Sequence, residues 1–209
     1  MFALIRRDGR VGWVDVRSAD LGPGEVRISP RLVGICRTDL EVASGERPVT
    51  EPRILGHEFV GEVTEVGLEA KNCAVGDSVA VDPTIACGKC RHCCDGWSNA
   101  CEDRKFLGVD CDGALAESVV VPARNVWVMP LGMEDARAVM LAPVAACMAV
   151  LRAPIDPDDN GLISGSGWLT ELSRQVLATH GIDCVDRLDD VADRDATYDF
   201  AIDTEGTSE

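Results

Sequence analysis

Gly34-Ile35-Cys36-Arg37-Thr38-Asp39 and, after a turn-rich loop, Leu55-Gly56-His57-Glu58 are the residues on which the reading of this chain turns. Cysteine, histidine and glutamate all ligate zinc. Cys36, His57 and Glu58 could therefore converge on one ion and leave a coordination position open. Such an open position is what separates a catalytic zinc from a structural one. The bland alternative is a buried cysteine beside an unrelated surface His-Glu pair, and two short motifs do not decide between them. The flanking sequence does.

Around this stretch the pattern is that of short strands. Phe2–Ile5 and Val11–Val16 flank Asp8-Gly9, which reads as a hairpin. Leu21-Gly22-Pro23-Gly24 breaks the chain before an extended segment over 25–36. Thr38–Ser44 reads as a short helix capped by Thr38 or Asp39 and stopped by Gly45. Glu58–Gly67 alternates acidic and apolar residues, as a half-exposed strand does, with a glycine where the backbone must bend. Val75-Gly76-Asp77 is a turn into a strand over 78–83, and two more strands are expected over 113–122 and 126–130. Many short strands separated by Gly/Pro turns argue for a β-barrel or sandwich-like N-terminal domain.

From Glu134 the pattern becomes an apolar helix kinked at Pro143 and buried between layers. After a polar linker, Leu162–Ser164, Leu169–Thr179 and Ile182–Val185 read as strand, helix and strand, and Tyr198–Asp203 as a third strand.

Cys87, Cys90, Cys93 and Cys101 have the spacing Cys-x2-Cys-x2-Cys-x7-Cys. Four thiolates at these intervals can wrap one tetrahedral zinc in a self-contained lobe over 84–104. A reducing compartment disfavours disulfides, and iron–sulfur ligation stays open. Cys94 is a spare.

The 209 residues can bury a sizeable core, and a hydrophobic content of 46% speaks against wholesale disorder. A net charge of −16 argues against nucleic-acid binding. Met1–Arg7 turns charged before any leader could form, and the longest apolar run, 139–151, is too short to span a bilayer. The expectation is a cytoplasmic protein with neither membrane nor nucleic-acid partner.

Taken together, Gly34–Asp39, Gly56–Val63, Val75–Val79, the cysteine lobe and Asp112–Glu117 resemble the zinc-containing medium-chain dehydrogenase/reductase family, which includes the alcohol, sorbitol and glucose dehydrogenases. The resemblance covers nearly all of residues 1–150. It implies a mixed α/β protein: a GroES-like β-barrel catalytic domain over 1–153, then a Rossmann-like domain over 154–209 that is shortened and incomplete. It implies two zinc ions, one catalytic on Cys36 and His57 with Glu58 as third ligand or close neighbour, and one structural on Cys87, Cys90, Cys93 and Cys101. Asp39 would hydrogen-bond the ligating imidazole, and Thr38 would sit in the proton relay from a substrate hydroxyl. Arg37 lies where some members contact the cofactor pyrophosphate. Glu41 fits a pattern of sugar dehydrogenases in which polar residues meet substrate hydroxyls.

Three departures qualify this. Ala142 stands where the family reads Glu or a ligating Cys. Gly165-Ser166-Gly167-Trp168-Leu169-Thr170 has the place of a dinucleotide fingerprint, with Asp186 about where a ribose-binding acid belongs, but Thr170 replaces its third glycine. The connection over 187–197 is short for a parallel crossover, and no second nucleotide half follows. Three functions are therefore expected in order of weight. The first is an alcohol- or polyol-dehydrogenase-like oxidoreductase using zinc and NAD(P) on an alcohol, polyol or carbonyl. The second is a cofactor-independent zinc lyase, cyclase or hydrolase, and the third a non-catalytic zinc-stabilised subunit. Bare strand edges predict a homodimer with an altered interface.

Overall fold

The computed structural model describes residues 1–191 and 197–205. The chain divides into two compact units, Met1–Ala142 and Pro143–Glu209. In the first, strand β1 (Phe2–Arg7) turns at Asp8-Gly9 into β2 (Arg10–Asp15). Both turn residues have positive φ, 51° and 72°, as a two-residue hairpin loop requires. β3 (Glu25–Gly34) leads through Cys36 into helix α1 (Arg37–Ser44), and β4 (Arg53–Ile54) returns to pair with β1. Then follow β5 (Glu58–Val66), β6 (Ser78–Val81) and β7 (Thr84–Ile85). The cysteine lobe with α2 (Arg91–Cys94) comes next, then β8 (Lys105–Phe106), β9 (Val119–Pro122) and β10 (Val126–Val128).

The central sheet is antiparallel, in the order β10-β6-β5-β3-β9. Val26 and Ile28 of β3 and Phe59 and Val63 of β5 join Val79, Val81, Val119 and Val121 in its main core. Glu62, Thr64 and Glu65 stay exposed, so the alternation in the sequence is the alternation of sheet faces. Each fully buried aliphatic side chain contributes on the order of 1.5–3 kcal/mol. The β3/β5 register shifts between Pro30 and Leu32, where the proline has no N–H for the ladder. Beyond that shift Val33 faces Phe59 and Gly34 faces Glu58. This register is what joins the two halves of the opening motif, because Cys36 lies two residues past Gly34 and His57 one residue before Glu58.

Several expectations need correction. Helix α1 is capped by Cys36, not by Thr38 or Asp39: the Cys36 sulfur accepts from the Thr38 N–H, and the Asp39 carboxylate reaches back to the Cys36 N–H. Gly45 ends the helix in a left-handed conformation, as expected. Of the strand expected over 113–122, only Val119–Pro122 pairs as one. Gly113, Ala114 and Leu115 instead donate to the carbonyls of Ile54, Gly56 and Leu55, wrapping the segment that precedes His57. The apolar helix from Glu134 is two helices, α3 (Asp135–Ala138) and α4 (Leu141–Met148). Pro143 lies in the first turn of α4, where its missing N–H would have had no partner anyway. Only Pro143 and Cys147 of α4 are buried, and Leu141 and Met148 are exposed, so it is not buried all round.

The second unit is a parallel sheet of β11 (Gly161–Ser164), β12 (Val185–Arg187) and β13 (Phe200–Asp203), with helix α5 (Trp168–Ala178) joining β11 to β12. Ile163, Leu177, Ile182 and Val185 form its core. The second strand starts at Val185 rather than Ile182; Ile182 is buried in the loop before it. β13 pairs in parallel with β11, on the side away from β12. The short connection expected over 187–197 lies partly outside the described residues, as do the last four residues of the 154–209 domain. The unit is thus a β-α-β element with one further parallel strand, and the mixed α/β class expected from the sequence holds. Among the described residues no helix is long and apolar enough to cross a membrane.

Candidate metal centre

The β3/β5 register sets Cys36, at the head of α1, against His57, at the foot of β5. Cys36 Sγ lies 3.1 Å from His57 Nε2, and a Glu58 carboxylate oxygen lies 3.9 Å from the same nitrogen. The three ligand atoms fall within 4.8 Å of one another. A thiolate, an imidazole and a carboxylate are the donors zinc takes, and three protein ligands leave a fourth position free. The donor set fits the ion.

Asp39 organises the centre. Its Oδ1 accepts from His57 Nδ1 at 3.1 Å and from the Gly56 N–H at 3.1 Å, and its Oδ2 accepts from the Cys36 N–H at 3.0 Å. Burial opposes ionisation of this carboxyl, but these bonds outweigh it and hold Asp39 below the usual carboxylate range. An ionised carboxylate can only accept, so Nδ1 carries the proton and Nε2 faces Cys36. Burial pulls the His57 pKa down, but hydrogen bonds with Asp39 and Cys36 more than reverse this and raise it to about 10. Burial, which His57 only partly offsets, raises Glu58.

The approach to His57 is built without side-chain volume. Gly56 has φ 92°, and a Cβ there would lie 2.8 Å from Leu115 Cγ. A Cβ on Gly113 would overlap the Gly56 carbonyl oxygen and lie 2.5 Å from Leu55 O. We expect Gly113→Ala to cost roughly 1–3 kcal/mol through this overpacking, read as a lower midpoint in urea denaturation. An unchanged midpoint would show that the loop yields freely.

Thr38 follows Cys36 in α1, and the bond seen for it is its backbone N–H on the Cys36 sulfur at 3.3 Å. Arg37 is exposed and pairs with Glu41 at 3.1 Å; Arg47 holds the other Glu41 oxygen, also at 3.1 Å. Glu41 is thereby engaged by two guanidinium groups of its own chain rather than left free for substrate hydroxyls. One residue of the centre had no signal in the sequence: Phe106 of β8, whose ring lies 4.9 Å from the His57 ring at a 53° tilt. No motif marks it, because the contact depends on how the cysteine lobe returns to the sheet.

In the lobe, the sulfurs of Cys87, Cys90, Cys93 and Cys101 also gather within 4.8 Å. Cys90 and Cys93 are 3.5 Å apart and Cys87 and Cys93 4.0 Å. A tetrahedral ion with Zn–S bonds of about 2.3 Å sets its sulfurs about 3.8 Å apart, so the spacing fits. The N–H groups of Lys89 and Cys90 hold the Cys87 thiol down to about 6. Cys94 is exposed and outside the cluster, as the sequence implies.

In the second unit, Gly165 and Gly167 form the turn between β11 and α5, with φ 116° and 97°. Thr170, in place of a third glycine, is buried, and its hydroxyl meets that of Thr204 at 2.9 Å. Asp186 is exposed on β12 and accepts from the Tyr198 hydroxyl at 3.1 Å. The turn offers the backbone N–H of Ser166 at the head of α5, which fits an anionic group. That N–H already donates to Glu205 at 2.8 Å.

Residues 22–131 match the family model of the alcohol dehydrogenase GroES-like domain. The starvation-sensing protein RspB of Escherichia coli K12 is 33% identical across 98% of this chain and 62% of that protein. L-threonine 3-dehydrogenase of Pyrococcus furiosus is 39% identical across 87% of this chain and 54% of that enzyme. A solved structure of a short chain alcohol dehydrogenase (rspB) from E. coli CFT073, complexed with NADH, superposes with a TM-score of 0.83 at 31% identity, covering 99% of this chain and 63% of that one. The chain thus spans between about half and two thirds of the relatives it matches.

Proposed function

The chain belongs to the zinc-type medium-chain dehydrogenase family, and on that premise we propose that it is a dehydrogenase-type oxidoreductase acting on a small alcohol, polyol or carbonyl compound. The observation that carries this reading is the meeting of Cys36, His57 and Glu58 around one point, with Asp39 bonded behind the imidazole. Bound there, zinc would supply Lewis acidity toward a substrate oxygen, and NAD or NADP would supply the hydride acceptor or donor.

The roles left to the chain follow from its own contacts. Cys36, His57 and Glu58 hold the ion. Asp39 keeps the proton of His57 on Nδ1, so that Nε2 presents its lone pair. Thr38, one helix position after Arg37, is the group we assign to take the proton from a substrate hydroxyl. Phe106, tilted against the imidazole, would help keep water from it. Arg37, exposed at the head of α1, is the candidate for a cofactor phosphate, in competition with Glu41. Cys87, Cys90, Cys93 and Cys101 close a second, structural site with no open position. Gly165, Gly167 and Asp186 are the residues of the second unit that would meet the dinucleotide.

Titrating zinc-loaded protein with NAD+, NADH, NADP+ and NADPH in a calorimeter tests this reading. We expect saturable heat with at least one oxidised and reduced pair. Four flat titrations would remove hydride transfer and leave the cofactor-independent zinc reading in its place.

A further inference from the structure

The turn between β11 and α5 already holds an anion, and that anion belongs to the chain. One carboxylate oxygen of Glu205, just past β13, accepts from both the backbone N–H and the hydroxyl of Ser166, each at 2.8 Å. Glu205 is set in place by its neighbours. Its own N–H donates to Asp203 Oδ1 at 2.9 Å. The preceding Thr204 donates its N–H and hydroxyl to Ser164 O at 3.1 and 3.0 Å. The Thr204 hydroxyl also meets Thr170, the residue standing where a third glycine was expected. Gly165 and Thr204 pack so closely that a Cβ on Gly165 would overlap the threonine hydroxyl. The cap residue of α5, Gly167, offers no side chain to the helix N–H groups.

We propose that Glu205 is an intramolecular competitor for the Gly165–Gly167 turn, lowering its affinity for the phosphates of a nicotinamide dinucleotide. This inference rests on the hydride-transfer reading above. The physical basis is simple. A helix N-terminus and the N–H of the turn before it favour one negative group. A carboxylate seated there both uses the donors and repels a second anion. A dinucleotide phosphate must therefore displace Glu205 from Ser166 before it can accept the same N–H. The device tunes affinity and does not abolish it, because both Ser166 and Glu205 are exposed, so water weakens the bond between them.

Two substitutions separate charge from occupancy. Glu205→Gln keeps the size and an acceptor oxygen but removes the charge, and Glu205→Ala vacates the turn. NADH and NADPH binding, followed by nicotinamide fluorescence on zinc-loaded protein, is expected to tighten roughly three- to tenfold in both variants. Circular dichroism establishes that each variant is folded. Tighter binding by both folded variants than by the parent chain supports the proposal. Affinity unchanged or weakened in both folded variants overturns it and leaves Glu205 as a structural cap of α5, while the hydride-transfer reading stands. Binding by none of the three proteins overturns the proposal and that reading together.

Discussion

On the proposed function, replacing Cys36 with serine is expected to leave one zinc per chain in place of two and to lower dehydrogenase turnover by about a thousandfold. The size follows from losing several kcal/mol of Lewis-acid stabilisation, each 1.4 kcal/mol being about a factor of ten. Serine is the informative substitution because the Cys36 sulfur has a second task, accepting the Thr38 N–H at the head of α1. A serine oxygen caps a helix well, so α1 survives while the soft ligand is lost. The control is Cys94→Ser, one residue from a lobe ligand yet exposed and outside the cluster. It should keep both ions and full activity. Metal analysis with a steady-state assay reads both outcomes, and a Cys36→Ser protein that still binds two zinc ions would contradict the assignment.

The second large effect is expected at Asp39. Replacing it with asparagine keeps the shape, but an amide in place of the carboxylate withdraws the charge facing His57. The loss of this support should weaken zinc binding at the centre roughly 10–100-fold. The same interaction gives a pH dependence. The His57 pKa is raised to about 10, so the second proton, on Nε2, would have to leave before that nitrogen could hold zinc. Zinc affinity therefore falls as pH falls, by about tenfold per unit for each proton released. In Asp39→Asn the His57 proton is held less tightly, so the fall begins at lower pH. Competition with a chelator across pH 6–9 measures both quantities. Equal affinities for the two proteins at every pH would place Asp39 outside the metal's support.

Much of the centre was legible because its residues carry chemistry at fixed offsets. Cys36, Asp39, His57 and Glu58 are few, polar and close in sequence to turns, and the cysteine lobe announces itself by spacing alone. What the sequence left open was decided by backbone bonds. Asp39 reads as an acceptable cap for α1, but the helix starts at Arg37, so Cys36 is the cap and Asp39, in the first turn, reaches back to the Cys36 N–H while its other oxygen meets His57 and Gly56. Gly113–Leu115 carry strand-forming residues, yet their N–H groups went to the loop before His57. Phe106 was invisible because an aromatic ring beside an imidazole depends on three-dimensional return of the chain. Glu205 was overlooked for the same reason: it lies 39 residues from Ser166, joined to it only when β13 aligns with β11. Arg37 and Glu41 looked like free contact residues, and their mutual pairing appears only once the helix is built.

We assign Cys36, His57 and Glu58 to a catalytic zinc separate from the structural one. Anomalous scattering at the zinc absorption edge, on crystals of protein purified without chelator, tests it most directly. The expected map has two peaks per chain, one within bonding distance of Cys36 Sγ and His57 Nε2 and the other enclosed by Cys87, Cys90, Cys93 and Cys101. A single peak confined to the cysteine lobe, in protein saturated with zinc, would contradict the account.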